Sequence, residues 1–281
     1  MKHRVAIVTG ANSGMGLATS MELVHRGFHV IMACRNSERG EKALQQVKQQ
    51  SQTNDIEVMK CDLGSLGSIR TFADQFKQRY QTLDVLINNA GVVSLKRETT
   101  SDGFESMIGV NHLGHFLLTN LLLKQLKNAE QGRIVTVFSG AHKAGKIHFN
   151  DPHLTKKFNV VKGYSQSKLA NILFTRELAA HLTNTTVTAN CLHPGAVSTN
   201  LGVNRKTGFG KAIYAALRPF FLTSAEGADT TIYLTTSPDV AKISSEYFYK
   251  RKIISTSAKA KDKALAEKLW KWSEQEVGGL V

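Results

Sequence analysis

The sequence predicts an α/β fold, a doubly wound parallel sheet of about seven strands with helices on both faces. Three observations carry that prediction. The chain opens with a short β-branched run, Val5-Ala6-Ile7-Val8, that enters a turn with glycines at 10, 14 and 16 and leaves through an amphipathic segment, Leu17 to Arg26. Short apolar runs then alternate with amphipathic helical segments to the end of the chain. The runs are apolar throughout, as strands covered on both faces must be.

Taken in order, His29-Val30-Ile31-Met32-Ala33 reads as the second strand. Ser37 to Gln50 follows as a helix, with Ser37 as its N-cap and Glu41 in its first turn. Ile56-Glu57-Val58-Met59 is a third strand. Ser65 to Tyr80 is a helix with Ile69, Phe72, Ala73 and Phe76 at helical spacing. Val85-Leu86-Ile87 is the fourth strand, Phe104 to Leu126 one long helix, and Ile134 to Phe138 the fifth strand. Tyr164 to His181 forms a helix, Val187 to Leu192 the sixth strand, and Ala225 to Leu234 another helix. Tyr247-Phe248-Tyr249 is a short last strand, and a basic helix, about 261–277, closes the chain.

Size and composition bound the rest. The chain has 281 residues, is 42% hydrophobic and has prolines only at 152, 194, 219 and 238. It contains no Pro/Gly/Ser-rich linker and no internal repeat, so one domain over 1–281 is expected. The first strand begins within a few residues of Met1, which leaves no room for a leader. No run reaches the ~18 uninterrupted apolar residues of a membrane span; the richest, Phe116 to Leu126, is broken by Thr119, Asn120, Lys124 and Gln125. Cys34, Cys61 and Cys191 each end an apolar run with no C-x-x-C, the pattern of small buried residues in a reducing, cytoplasmic setting. The net charge is +14, concentrated only in Lys242 to Lys271, where nine Lys/Arg stand against three Asp/Glu. With no basic-aromatic motif beside it, the expectation is a solvated basic surface and no nucleic-acid partner. A peripheral membrane contact and a homo-oligomer both stay open.

In such a sheet the ligand lies beyond the carboxyl ends of the strands, so the residues after each strand are the candidates. Gly10, Asn12, Ser13, Gly14, Met15 and Gly16 let the backbone bend and offer bare N–H groups to an anion at a helix N-terminus. The spacing is G-x-x-x-G-x-G, and by itself it is equally a plain tight turn. After the second strand stand Arg35 and Asn36, with Arg39 one turn on and no acid between His29 and Ser37. An acid there would take a ribose hydroxyl, whereas arginine holds a 2′-phosphate, so NADP(H) is expected over NAD(H). Asp62-Leu63 follow the third strand, Asp62 either meeting the adenine or capping the next helix. Asn89-Ala90-Gly91 follow the fourth, two amides (with Asn88) able to tie loops together beside room for a flat ring.

Asn111 lies on the apolar stripe of the long helix; a buried amide costs ~1–3 kcal/mol unless paired, so it needs a partner or a task. His112 and His115, three residues apart on that helix, have no carboxylate or cysteine nearby to complete a metal set, and no metal is expected. Ser139 follows the fifth strand. Tyr164-Ser165-Gln166-Ser167-Lys168 opens a helix, and the i, i+4 spacing brings the Lys168 ammonium to the Tyr164 hydroxyl. A phenol needs its pKa lowered from ~10 to act near neutrality, and Lys168 together with a cationic nicotinamide is expected to lower it. Pro194, Gly195, Val197 and Thr199 follow the sixth strand, Thr199 within reach of a phosphate or the nicotinamide amide.

With these residues in hand, the chain resembles the short-chain dehydrogenase/reductase family over nearly its whole length. Thr9 to Gly16, Asn88-Asn89-Ala90-Gly91, Asn111, Ser139, Tyr164-x-x-x-Lys168 and His193-Pro194-Gly195 fall in that family's order. Ala33-Cys34-Arg35-Asn36-x-x-Arg39-Gly40, Asn111 to Thr119 and Ser167-Lys168-Leu169-Ala170-Asn171 are similar to the retinol dehydrogenase-like branch. The resemblance implies a Rossmann-type fold, NADP(H) and a catalytic set. Tyr164 would give and take the proton, Ser139 bind the substrate oxygen, Lys168 hold the nicotinamide ribose and tune Tyr164, and Asn111 position a relay water. It also implies that the helices carrying Asn111 and Tyr164 are a frequent dimer face. Phe138 departs from the usual serine before Ser139 and is expected to narrow the pocket. The membrane-anchored members carry a hydrophobic N-terminal segment, and none is expected here, which speaks against retinoid handling on a membrane.

The expected activity is hydride transfer between NADP(H) and a lipophilic carbonyl or alcohol, with Ser139 and Tyr164 on the substrate and a lid at about 197–223. The apolar part of that lid, 205–222, with Phe209, Ile213, Tyr214, Leu217, Phe220 and Phe221, serves equally as substrate wall, core or dimer contact. The alternative is a non-catalytic NADP(H)-binding sensor or scaffold of the same fold.

Overall fold

The computed structural model describes residues 4–195 and 222–279. Eight strands among the described residues form one sheet: β1 (Arg4–Thr9), β2 (Phe28–Cys34), β3 (Ile56–Lys60), β4 (Val85–Asn88), β5 (Arg133–Val137), β6 (Thr188–Leu192), β7 (Tyr247–Tyr249) and β8 (Lys252–Ile253). Their order across the sheet is β3-β2-β1-β4-β5-β6-β7-β8. Neighbours are parallel except β7 and β8, an antiparallel pair. β8 is the strand beyond the expected seven; at two residues it is too short to show a pattern. The chain winds outward from β1 to β3, then returns to β4 on the other side of β1. That reversal opens a crevice at the carboxyl ends of β1 and β4.

Successive strand residues face opposite layers. Val5 and Ile7 join Ile31, Leu86 and Ile134 in one core, covered by α3 (Leu66–Arg79), α5 (Gly114–Leu121), α7 (Val160–His181) and a last helix. Ala6 and Val8 join Val30, Met32, Val85 and Ile87 in the other, covered by α1 (Gly14–His25), α2 (Ser37–Ser51) and α8 (Ser224–Thr236). The last helix, α9 (Lys263–Glu276), packs over α5 and α7: Trp270 lies edge-on to Phe116 at 4.9 Å and stacked on Phe174 at 5.9 Å. The face of those two helices that the resemblance offers for a dimer therefore carries α9 of the same chain. All three cysteines are buried. Among the described residues no helix is long and apolar enough to cross a membrane.

Several boundaries differ from the sequence expectation for local reasons. The N-cap of α2 is Asn36, whose Oδ1 accepts the Arg39 N–H at 2.8 Å, so Ser37 is the first helical residue. α7 starts four residues before Tyr164 because Asn159 caps it, accepting from the Val161 and Lys162 N–H groups. The long helix is not continuous. It begins at Ser106 (α4, Ser106–Ile108), passes through a π-turn at Gly109–Leu113, continues as α5, and bends at Leu122 into α6 (Leu123–Lys127).

Near the amino ends of β2 and β3 a polar cluster closes the sheet edge. Glu57 accepts from the Tyr80 hydroxyl and, through both oxygens at 2.7 Å, from Arg79 Nη2, with His29 Nε2 at 3.4 Å. Burial pushes the Glu57 carboxyl up, but the bonds from His29, Tyr80 and Arg79 outweigh it and hold it down at about 2. Tyr80 is pushed up to about 12 by burial and by the adjoining carboxylate. Because the folded value lies below the unfolded one, this contribution is complete above the ordinary carboxylate range and disappears as the pH falls toward 2. Glu57→Gln is expected to lower stability at pH 7 by on the order of 1–2 kcal/mol, the pair being partly screened. Urea melts should show that gap at pH 7 and a much smaller one near pH 2.5; equal midpoints at pH 7 would refute the account.

Candidate active site

The crevice is built on Thr9, the last residue of β1. Its Oγ1 accepts the N–H groups of Asn89 at 2.9 Å and Ala90 at 3.0 Å, while Asn89 Nδ2 donates to the Thr9 carbonyl at 2.8 Å. The loop after β4 is thus laced to the loop after β1, the tie expected of the paired amides. Asn88 points the other way, donating to Thr119 Oγ1 at 3.0 Å. Gly10 has φ +66°, in the left-handed region. A Cβ on Gly16 would stand 2.5 Å from the Gly10 carbonyl oxygen and 2.6 Å from Asn89 Nδ2, so only glycine lets α1 approach the turn. Ser13 precedes α1 in extended conformation and makes no side-chain cap bond, which leaves the first N–H groups of the helix to a ligand. Asn12 and Gly14 are half-buried beside it, and Met15 is buried.

At the end of β2, Arg35 and Arg39 are exposed and Asn36 is committed to its capping bond. After β3, Asp62 Oδ1 accepts the Gly64 N–H at 2.9 Å, and Ser65 Oγ caps α3, so Asp62 is not the helix cap. Leu63 is buried below it.

Ser139, Tyr164, Lys168 and Asn111 converge from three elements. The Ser139 side chain reaches the Tyr164 hydroxyl closely enough to work against the rise in its pKa, and Ser139 Oγ accepts the Ala141 N–H at 3.4 Å. The Ser139 carbonyl takes two donors from one residue, His142 N at 3.3 Å and His142 Nδ1 at 3.2 Å. Lys168 Nζ lies 5.3 Å from the centre of the Tyr164 ring and, among the described residues, has no carboxylate partner. A Cβ on Gly91 would sit 3.6 Å from that ammonium and 3.5 Å from Asn111 Oδ1. Asn111 is fully bonded: its Oδ1 accepts the Val92 N–H at 2.8 Å, and Nδ2 donates to the Val92 carbonyl at 3.1 Å and to Ser167 Oγ at 3.0 Å. Its carboxamide is therefore a brace between the β4 loop and α7.

Of the two groups expected to acidify Tyr164 together, Lys168 and a cationic nicotinamide, Lys168 alone does not; burial raises the phenol's pKa, and only the Ser139 side chain works against that. The charge cost appears on the lysine, whose burial brings the ammonium down to about 8. Phe138 does not face the pocket. It is 3% exposed and packs on Tyr247 at 4.9 Å and on His142 at 5.6 Å, between β5 and β7.

After β6, His193 stacks on Tyr249 at 5.0 Å and accepts the Gly195 N–H through Nδ1 at 3.2 Å. Pro194 and Gly195 are half-buried at the crevice side of β6. Val197, Thr199 and the apolar wall to Phe221 lie outside the described residues. The sequence reading passed over Thr9, His142 and Ser167 as site residues. His142 had a local signal, standing three residues after Ser139 in a short turn; Thr9 was visible only as the head of the glycine motif, because its partners Asn89 and Ala90 lie about 80 positions away. A cavity of about 400 Å³, lined by Val5, His29, Asp55, Arg79, Tyr80, Gln81 and Thr82, sits at the amino ends of the strands, away from all of these residues.

The residues present fit a dinucleotide: a cradle at Gly10 and Gly16 that a Cβ would fill, uncapped helix N–H groups, and a buried cation with no acid beside it. Residues 4–209 match the family model described as short chain dehydrogenase. The chain is 46% identical to retinol dehydrogenase 14 of Mus musculus over 294 aligned positions, covering 99% of this chain and 87% of that one. It is 42% identical to human retinol dehydrogenase 13, covering 98% and 85%. A crystallised uncharacterised protein of Mycobacterium paratuberculosis superposes with TM-score 0.79 at 37% identity, covering 98% of this chain and 94% of that one. A short chain dehydrogenase of Escherichia coli CFT073, crystallised with NADPH, shares the fold at TM-score 0.68 and 21% identity, covering 88% and 96%.

The buried ammonium gives a signed prediction. Its folded pKa lies below the unfolded value of ~10.5, so the charge costs stability below pH 8, and the cost fades as the pH rises from 8 to 10.5. Lys168→Met should stabilise the unliganded protein at pH 7 by on the order of 2 kcal/mol and by much less at pH 10. Denaturant midpoints at the two pH values test this, and a destabilised variant at pH 7 would contradict it.

Proposed function

The chain belongs to the short chain dehydrogenase family, and on that footing we propose that it is an NADP(H)-dependent oxidoreductase with Tyr164 as its proton donor and acceptor. The observation that carries this reading is the Ser139–Tyr164 hydroxyl pair beside a buried Lys168 at the mouth of the glycine turn. Bound NADP(H) supplies or accepts the hydride. Gly10, Asn12, Ser13, Gly14, Met15 and Gly16 would receive the pyrophosphate, Asn89 to Gly91 line the nicotinamide side, and Asp62 and Leu63 meet the adenine. Pro194, Gly195, Val197 and Thr199 would close the far side.

In the reducing direction, Ser139 donates a hydrogen bond to the carbonyl oxygen and orients it toward Tyr164. As the carbonyl carbon accepts the hydride, its oxygen takes the phenolic proton, and the product is the alcohol. Burial keeps the Tyr164 phenol protonated at neutral pH, so the proton to be transferred is in place. Lys168 holds the ribose and stabilises the phenolate left behind; Asn111 keeps the β4 loop at a fixed distance from α7. Oxidation of an alcohol runs the same steps backward. The retinol dehydrogenase names of the relatives concern an apolar alcohol and support a lipophilic carbonyl or alcohol as the substrate class.

The preference for NADP(H) rests on Arg35, exposed with Arg39 after β2, where no acid stands between His29 and Ser37. Tyr164→Phe is expected to lose more than nine-tenths of NADPH-dependent carbonyl reduction while its NADPH affinity, read from nicotinamide fluorescence, stays within threefold. Retention of a tenth of the activity would remove Tyr164 from the role. No NADPH consumption against a broad panel of aldehydes and ketones would favour the sensor reading. Arg35→Glu should raise the KM for NADPH by on the order of 10- to 100-fold, the worth of one or two charge-assisted hydrogen bonds. The KM for NADH should move less than threefold, and an unchanged NADPH value would refute the assignment.

A further inference from the structure

His115 is one of two histidines that the sequence places on one helix three residues apart, and the structure separates them. The His112 ring turns toward α9, equally buried, with Nε2 at 2.8 Å from Ser273 Oγ and its plane stacked on Trp272. The His115 ring turns inward and is 1% exposed. Its Nδ1 lies 3.1 Å from the carbonyl oxygen of Asn111, and its Nε2 lies 3.0 Å from Thr9 Oγ1. A carbonyl can only accept, so the ring proton sits on Nδ1 and Nε2 is an acceptor. Thr9 fits that assignment. Its two lone pairs are taken by the Asn89 and Ala90 N–H groups, and its one proton is left for His115 Nε2, with the Ile87 carbonyl at 3.2 Å sharing it.

We propose that His115 is a positioning residue whose ring ties Asn111 to Thr9 and so keeps the π-turn of the site helix in register with the glycine turn. The inference rests on the oxidoreductase reading above. A π-turn inserts one residue into a helix and occurs mostly where function needs it; here the Gly114 N–H reaches back five residues to the Gly109 carbonyl, with Asn111 in the middle. The Asn111 carboxamide fixes Val92 and Ser167, and its carbonyl is held by His115. One ring therefore joins the two hubs of the site, Thr9 for the β1 and β4 loops and Asn111 for the β4 loop and α7. Charge supports the neutral form. Burial holds His115 well below the usual histidine range, at about 4, and the Lys168 ammonium presses in the same direction. His112 beside it is likewise neutral, pushed down to about 3 by burial.

The test compares His115→Phe, which loses both bonds, with His115→Asn, which keeps a donor at the Nδ1 position, and His115→Gln, which moves the amide to the Nε2 position. Small misplacements of reacting groups cost up to about 100-fold in rate. His115→Phe is thus expected to lower kcat about 30-fold and to raise the dissociation constant for NADPH about fivefold. The KM for the carbonyl substrate should move less than threefold. His115→Asn should restore kcat and NADPH affinity to within threefold of the parent, and His115→Gln should not. In the unsubstituted protein the ¹⁵N shifts of the His115 ring should report a proton on Nδ1 and a bare Nε2, unchanged from pH 6 to 9. An Asn variant no better than Gln, a Phe variant with parental kcat and NADPH affinity, or a ring protonated on Nε2 would each overturn the proposal. If Phe does not fold, the Asn and Gln pair decides. If the parent protein shows no turnover, the oxidoreductase reading fails on its own, and the ring shifts and NADPH affinities still judge the tie.

Discussion

Two half-buried N–H groups on one loop share a single acceptor, the Thr9 hydroxyl. Asn89 and Ala90 follow β4 at the point where the winding of the sheet reverses, and neither strand neighbour continues the ladder there. The Ile87 carbonyl at 3.0 Å shares the Asn89 N–H. The single oxygen of Thr9 takes both, and the Asn89 side chain returns a bond to the Thr9 carbonyl. Everything at the crevice inherits its position from this junction. The glycine turn is pressed against the β4 loop so closely that Gly16 has no space for a Cβ. The helix bearing Asn111 is then joined to both.

The electrostatics follow from the same closeness. Lys168 is enclosed by the β4 loop, Asn111 and the Tyr164 ring, a polar surround with no acid among the described residues, and burial of its charge brings its pKa to about 8. Tyr164 is shifted upward by burial in the same crevice. An acid that stays protonated and a cation under desolvation strain suit a site that receives a polyhydroxylated, anionic ligand. Binding offsets a cost that the fold carries alone in its unliganded form. The lysine does not acidify the phenol without the nicotinamide, and the reason is geometric: the ammonium stands over the ring, 5.3 Å from its centre.

The carboxyl-terminal helix gives the site helices their outer wall. Trp270 fills the groove between Phe116 and Phe174, His112 meets Ser273, and Arg70 donates to the Val277 carbonyl at 2.9 Å. Its lysines look outward, Lys271 paired with Glu267 one turn away. The basic stretch that stands out in composition is therefore, over this helix, the solvated side of an element whose other side is core.

By itself the sequence determined the order and type of nearly all the elements, because both-face burial writes itself as unbroken apolar runs and helical spacing is local. It also marked Gly10, Gly16, Asn89, Asn111, Ser139, Tyr164 and Lys168, since glycine at a strand end or a lone amide on an apolar stripe is visible without coordinates. The caps at Asn36 and Asn159 and the two-residue β8 were missed because one hydrogen bond or one register contact decides them. Tertiary structure alone decided what those marked residues do to one another. The bond of His115 to Thr9, the bonds of Asn111 to Val92 and Ser167 and the burial of Lys168 depend on partners tens of residues away, and hydrogen bonding and desolvation act through space, where sequence distance carries no information.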